Sequence, residues 1–176
     1  MDIGLLLLRL VIGLLLAGHG AQKLFGWFDG HGPEGTGKMF EKMGYKPGMM
    51  WATVAGLSEL GGGLLLAAGL FTPLAAAAVI GVMYNAARSA HAGKGPWITN
   101  GGWEYTLVVA TGALTIAVVG PGVASFDVVL GMERAGFFWG IVAVALGVGI
   151  GSATDLYRRS AKDAPQLRSR DAKATA

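Results

Sequence analysis

The apolar residues of the chain are collected in five long stretches, and the segments between them contain most of the charged residues. Each stretch approaches the roughly 20 residues that a helix needs to cross the hydrocarbon core of a bilayer. The pattern predicts membrane-spanning helices at about residues 3–21, 51–71, 73–90, 103–119 and 136–154. The expected fold is therefore all-α, a polytopic transmembrane helix bundle over residues 1–155. Residues 156–176 form a basic tail without hydrophobic periodicity, which we predict to be disordered and cytoplasmic.

Composition supports a lipid environment. Hydrophobic residues make up 53% of the 176 residues and charged residues only 14%, whereas soluble domains contain roughly 25% charged residues. The chain has no cysteine, so any thiol chemistry linked to it belongs to a partner. The net charge of +3 is interpreted as a topology signal, and no nucleic-acid partner is predicted.

The distribution of Lys and Arg predicts the orientation of the helices. With the N-terminus outside and the C-terminus cytoplasmic, the basic residues of the first loop, of the loop after the third span and of the tail all face the cytoplasm. Arg134 alone lies outside. The opposite orientation would violate the positive-inside rule at nearly every loop.

Ionisable residues inside the spans are costly unless they are paired, so they are the informative positions. Arg9 lies in the first span and Glu59 near the middle of the second. Gly56, Gly62 and Gly63 fall within a turn of Glu59, which lets a neighbouring helix approach closely. We predict an Arg9–Glu59 ion pair inside the bundle. The alternative is that such a pair only sets the register of the two helices.

A second polar cluster is expected near the cytoplasmic ends of the helices. Its members are candidates for catalysis or proton transfer: His19, Lys23, Arg88, Glu104 and Tyr105. Candidates for binding a cofactor are His19, Asn85 and Arg88. In the alternative interpretation, Lys23 and Arg88 merely extend to the lipid headgroups.

The sequence favours neither a haem site nor a metal site. A haem ligated by His19 and His91 is disfavoured because the chain has no haem-attachment motif. No metal site is predicted.

The loop between the first two spans contains a short amphipathic segment. Met39, Phe40 and Met43 can share one face of a helix, with Lys38 and Lys42 on the other. This pattern predicts a helix that lies in the membrane interface.

Several short motifs resemble the DoxX family of small bacterial integral membrane proteins. The stretches 9–10 and 19–26 (RL and HGAQKLFG) are similar to the opening of that family. The stretches 59–63 and 70–73 (ELGGG and LFTP) resemble its second helix and the turn that follows. Later stretches at 100–105, 120–122 and 125–127 (NGGWEY, GPG and SFD) resemble its remaining motifs. The resemblance covers about residues 5–130 and runs in the same order.

This resemblance implies a four-helix DoxX-like core, to which the fifth C-terminal span is an addition. It also implies a multi-pass protein of the bacterial inner (plasma) membrane. The family is linked to redox work: one relative is a subunit of a thiosulfate:quinone oxidoreductase. Others are associated with a superoxide dismutase and a sulfurtransferase in defence against oxidative stress.

Three functions are compatible with these features. The first is an accessory membrane subunit of an oxidoreductase complex that binds a quinone near the second polar cluster. The second is a non-enzymatic scaffold that anchors soluble partner enzymes through the first loop and the tail. The third, a small transporter, is less favoured because the chain shows no evident inverted repeat.

Overall fold

The computed structural model describes the backbone of residues 2–174 and the side chains of residues 2–162. Within that part of the chain every regular element is helical and no strand occurs, which confirms the predicted all-α bundle. The helices are α1 (Asp2–Phe25), α2 (Gly32–Met43), α3 (Gly48–Ala68), α4 (Thr72–Ser89), α5 (Glu104–Val119), α6 (Phe126–Val129) and α7 (Phe137–Ala174), with a 3-10 turn at Ile98–Asn100.

The five predicted spans coincide with α1, α3, α4, α5 and α7. Among the described residues, α1, α3 and α7 as far as Lys162 are long and apolar enough to cross a membrane, by length and composition alone. Helix α5 is apolar but has only 16 residues, and α4 has 18 with Asn85 and Arg88 near its end. At about 1.5 Å per residue these two helices are somewhat shorter than a hydrocarbon core of about 30 Å.

The tail differs from its prediction. Instead of becoming disordered after residue 155, α7 continues as one helix to Ala174. Two contacts hold its continuation against the segment between α2 and α3. The Arg158 Nη1 group donates to the Met43 carbonyl at 3.0 Å, and the Tyr157 hydroxyl donates to the Lys46 carbonyl at 2.6 Å. A helix that is already formed and anchored propagates at little further cost, which the polar composition of the tail did not reveal.

The packing of the bundle centres on two helix pairs. Helix α1 packs along α3, and α4 contacts α3, α5 and α7. Small residues allow the close approach of α4 and α7: a Cβ on Gly81 would lie 3.1 Å from the carbonyl oxygen of Gly147. Because α3 and α7 both pack on α4, they stand on either side of it and leave a groove between them.

Helix α2 packs across α3 and ends in a left-handed glycine. Gly44 has a φ of 104°, its N–H donates to the Glu41 carbonyl, and the next N–H, of Tyr45, donates to the Phe40 carbonyl, both at 3.0 Å. This C-terminal motif reverses the chain and turns the Tyr45 side chain inward, where only 4% of it is exposed.

Candidate functional site

Helices α3 and α7 form a groove over α4, which we call the α4 groove. Its volume is about 650 Å³, within the range typical of small-molecule sites. Its floor and walls come from the following residues: Leu74, Ala77, Ala78, Gly81, Val82 and Asn85 of α4; Val54, Ala55, Ser58 and Glu59 of α3; Leu146, Gly147, Ile150, Gly151 and Thr154 of α7.

The groove opens on the flank of the bundle. Three of its apolar lining residues are well exposed: Val54 at 46%, Leu74 at 57% and Ile150 at 64%. In a membrane these side chains face lipid, so the groove communicates with the hydrocarbon region. A molecule with a long apolar chain can enter it from the side.

Helix α2 closes one end of the groove. The apolar face that we predicted for this helix, formed by Met39, Phe40 and Met43, exists, but it lines the groove. The reason is that α2 folds back onto α3 and presents that face to the bundle.

An aromatic cluster follows at the same end. The ring of Trp51 packs between the rings of Tyr45 and Tyr157, with centroid distances of 5.7 and 5.2 Å. Burial raises the pKa of Tyr45 above its ordinary value, so its hydroxyl remains a proton donor and bonds to Asn85 Oδ1 at 3.3 Å.

The charged group at the groove is an ion pair between Lys23 and Glu59. Lys23 Nζ lies 2.5 Å from Glu59 Oε2, and the Glu59 side chain is only 6% exposed. Both residues line the groove. The predicted Arg9–Glu59 pair is therefore wrong. The partner of Glu59 does come from α1, as predicted, but it is Lys23 in the last turn of that helix.

The register of α1 against α3 explains this error. A Cβ on Gly13 would collide with the backbone at Gly63 and Ala67, and one on Gly20 would collide with the backbone at Leu60. These close approaches place Glu59 opposite the last turns of α1. Arg9 lies almost four turns from Lys23 along α1, so its guanidinium cannot reach the carboxylate.

Arg9 bonds instead to the loop after α5. Its guanidinium donates to the carbonyl oxygens of Pro121 and of Ala124, the latter at 2.5 Å, and only 1% of the residue is exposed. Gly69, in the turn after α3, packs against the same guanidinium. Arg9 therefore ties α1 to two turns at one end of the bundle.

Asp127 lies at the same end of the bundle as Arg9 and was not among the predicted site residues. Its carboxylate accepts from the backbone N–H groups of Phe71 and Thr72 at 2.8 and 2.9 Å, and from the Thr72 hydroxyl at 2.7 Å. It thereby caps the first turn of α4 and holds Phe71 in a left-handed conformation with a φ of 48°. The SFD motif of the family resemblance was the available signal.

The predicted second cluster is only partly assembled. His19 and Tyr105 lie close together, with His19 Nε2 3.5 Å from the Tyr105 hydroxyl. His19 Nδ1 lies 3.0 Å from Gln22 Oε1, and the Lys23 ammonium is 3.5 Å from the carbonyl oxygen of His19. Three of the five catalytic candidates, His19, Lys23 and Tyr105, thus adjoin Glu59.

The other two catalytic candidates have separate partners. Glu104 Oε1 accepts from the Ile98 N–H at 2.6 Å and so closes the loop before α5. Arg88 lies 3.7 Å from Asp155 on α7. The partners of these two residues therefore differ from those of the Lys23–Glu59 pair.

Among the cofactor-binding candidates, Asn85 lines the groove. Its side chain already has partners: its amide donates to the Gly81 carbonyl at 3.2 Å, and its oxygen accepts from the Thr154 hydroxyl at 3.0 Å. Asn85 therefore joins α4 to α7 and leaves little capacity for a ligand.

One lining residue has an unused donor. The indole N–H of Trp51 is buried and has no hydrogen-bond partner among the described residues. A buried donor without a partner costs free energy, and this nitrogen is closed off from the open space of the groove. The sequence marked Trp51 only as an aromatic residue near the end of a span.

Within residues 2–162 no three His, Cys, Asp or Glu side chains are grouped so that they could hold a metal ion. For the haem alternative, His91 Nδ1 lies 2.6 Å from the carbonyl oxygen of Gly101, whereas His19 contacts Gln22. The two imidazoles thus belong to different local networks.

Comparison with known proteins agrees with the architecture. The family profile described as DoxX matches residues 4–92, just over half of the chain, and this range includes α1 to α4 with Lys23 and Glu59. No curated protein and no solved structure matches the chain. The helical bundle, its apolar helices and the profile match together show that this chain belongs to the DoxX family of membrane proteins.

Proposed function

We propose that the chain is the membrane subunit of a redox complex and that its α4 groove binds a quinone. The observation that carries this proposal is the groove itself: an apolar cavity of about 650 Å³, open towards lipid, with the Lys23–Glu59 pair in its wall. A membrane quinone combines an apolar chain with a headgroup whose oxygens accept hydrogen bonds. The groove supplies both environments.

The residues present fit such a ligand. The ammonium of Lys23 is the donor in the groove wall that can reach headgroup oxygens. The exposed apolar residues Val54, Leu74 and Ile150 offer a surface for an isoprenoid chain. A bound quinone would supply the capacity to accept two electrons and two protons.

In this proposal the chain handles protons. Glu59 and Lys23 share a hydrogen bond of 2.5 Å, and the Lys23 ammonium also lies 3.5 Å from the backbone carbonyl oxygen of His19. The His19 imidazole in turn lies 3.5 Å from the Tyr105 hydroxyl. His19 is exposed, and its two ring nitrogens can donate and accept hydrogen bonds. The electrons come from a soluble partner, for which the family resemblance suggests a sulfurtransferase or a superoxide dismutase complex.

We further propose a location in the bacterial plasma membrane with the N-terminus outside and the C-terminus in the cytoplasm. This orientation places the end of α1 with Lys23, the end of α4 and helix α2 near the cytoplasmic surface. The polar end of the groove is then next to the compartment that contains the soluble partners.

Occlusion of the groove tests the proposal. Val54→Trp adds bulk to the groove wall, and Leu57→Trp adds the same bulk to an exposed position of α3 that does not line the groove. We expect quinone to co-purify with the wild type and with Leu57→Trp in mild detergent, and to be reduced at least about tenfold in Val54→Trp, since a steric clash of about 1.4 kcal/mol suffices for that factor. Mass spectrometry of the organic extract measures the amount.

Equal quinone content in both variants, or none in the wild type, would refute binding in this groove. The double variant Lys23→Gln with Glu59→Gln tests the polar end separately, because it removes both charges and leaves two side chains that can still bond to each other. We expect this double variant to fold and to co-purify with less quinone than the wild type.

A second candidate function is a scaffold for soluble enzymes, and one observation favours it. Phe25, Trp27 and Phe28 form an exposed aromatic group in the α1–α2 loop, with centroid distances of 5.1 and 6.4 Å between successive rings. Exposed aromatic groups of this kind often mark interaction surfaces. If Trp27→Ala abolishes partner pull-down while the quinone content stays unchanged, the chain binds its partners independently of quinone, as a scaffold would.

A further inference from the structure

The ends of α4 and α7 carry a cluster in which three guanidinium groups surround one carboxylate. We call Asp155, Arg88, Arg158 and Arg159 the Asp155 cluster. Arg158 and Arg159 each approach the carboxylate within hydrogen-bond distance, at 2.6 and 2.9 Å, and Arg88 lies 3.7 Å away. With three positive charges and one negative charge, the cluster has a formal charge of +2.

The three arginines differ in their exposure and in how many of their N–H donors are already bonded within the protein. Arg158 is 11% exposed and also donates to the Met43 carbonyl, so it is committed to the fold. Arg88 and Arg159 are 48% and 49% exposed. The separation of Arg88 from Asp155 exceeds a hydrogen bond, so its donors remain available for an anion.

An apolar strip leads from the cluster along the outside of α7. Ala145, Gly149 and Leu156 are exposed and, with the half-buried Ser152, lie at helical spacing below Arg159. An anion held by Arg88 and Arg159 would thus lie at the end of a surface suited to an acyl chain. A free phosphate ion would use the arginines but not this strip.

We infer that the Asp155 cluster binds the phosphodiester headgroup of an anionic phospholipid, whose acyl chains lie along α7. Arginine pairs bind phosphate oxygens with several charge-assisted hydrogen bonds. Basic pockets between helix ends on the cytoplasmic side are the usual place for such headgroups. Asp155 holds the guanidinium groups in place but neutralises only one of the three charges. The inference does not depend on the proposed function of the α4 groove.

Native mass spectrometry of the full chain in detergent, titrated with phosphatidylglycerol or phosphatidylcholine, tests this inference. The double variant Arg88→Gln with Arg159→Gln removes the two exposed charges. The matched control, Lys38→Gln with Lys94→Gln, removes two exposed charges outside the cluster. We expect the cluster variant to lose about 25-fold in affinity for phosphatidylglycerol, about fivefold for each charge, and the control to retain the wild-type affinity.

Three results would overturn the inference. One is an equal loss in the cluster variant and the control, and another is an unchanged preference for phosphatidylglycerol in the cluster variant. The third is competition by inorganic phosphate at millimolar concentration as effective as that by the lipid, which would indicate simple anion binding. Should the double variant fail to fold, Arg88→Gln alone, whose side chain is beyond hydrogen-bond distance of Asp155, should still lose about fivefold.

Discussion

At the residue scale, the buried ionisable groups show how this bundle tolerates charge in an apolar interior. Arg9, which is 1% exposed, bonds to backbone carbonyls, and Glu59 has an ammonium partner. Asp127 and Asp155 each accept several hydrogen bonds. Each buried charge is thus compensated by directed donors or acceptors, as the cost of an isolated charge requires.

Replacement of Asp127 tests the most heavily bonded carboxylate of the Arg9 end. Asp127→Ala leaves two backbone N–H groups and the Thr72 hydroxyl without an acceptor. We expect a decrease of about 3 kcal/mol in the free energy of unfolding, since each buried group left unpaired costs about 1–3 kcal/mol. Thr72→Val, which removes one of the three bonds, should cost about 1 kcal/mol.

Unfolding of the purified protein in mixed detergent micelles, followed by circular dichroism, measures these changes. Glu133→Ala, which removes an exposed carboxylate, is the control and should leave stability unchanged. A loss in Asp127→Ala no larger than that of the control would show that the cap contributes nothing.

At the element scale, glycines decide how the helices meet. Gly13 and Gly63 lie in contact between α1 and α3, and Gly81 and Gly147 between α4 and α7. Without side chains at these positions the backbones approach closely, which strengthens packing where lipid offers no hydrophobic driving force. The same contacts set the register that brings Lys23 to Glu59.

Gly13→Val should therefore separate α1 from α3. A Cβ at this position would lie 2.5 Å from the Gly63 carbonyl oxygen and 2.7 Å from the Ala67 nitrogen, both backbone atoms. We expect a loss of about 2–3 kcal/mol in the free energy of unfolding from overpacking, together with loss of quinone binding as the Lys23–Glu59 pair is displaced.

Gly18 offers a control on the same helix, because a Cβ there meets no atom within 4 Å. Gly18→Val should retain stability and ligand content. If both variants behave alike, the α1–α3 contact does not depend on its glycines.

At the scale of the whole molecule, the proposed five crossings and the distribution of basic residues predict a topology that can be measured directly. The loop after α4 carries Lys94, and the segment before α7 carries Arg134, which stacks on Trp139 at 4.8 Å. Helix α5 separates the two loops by about 24 Å along its 16 residues. They therefore lie at opposite ends of the bundle.

The absence of cysteine from the sequence provides a clean background for labelling. We expect Arg134→Cys to react with a membrane-impermeant maleimide in intact spheroplasts, and Lys94→Cys to react only after the membrane is opened. The reverse pattern would invert the proposed orientation, and labelling of both from outside would contradict the crossing by α5.

The sequence alone predicted the lipid environment, the fold class and the approximate positions of the five long helices, because hydropathy is a property of local runs of residues. The high cost of charge in an apolar run also singled out Arg9 and Glu59 as positions that need a partner.

Which charges meet was decided only by the tertiary structure. Pairing depends on the register of α1 against α3, and with 30 glycines in the chain the sequence offers many close-approach registers, so it could not single out the one at Gly13–Gly63. The α4 groove and the continuation of α7 arise in the same way, from contacts between distant segments that no local pattern encodes.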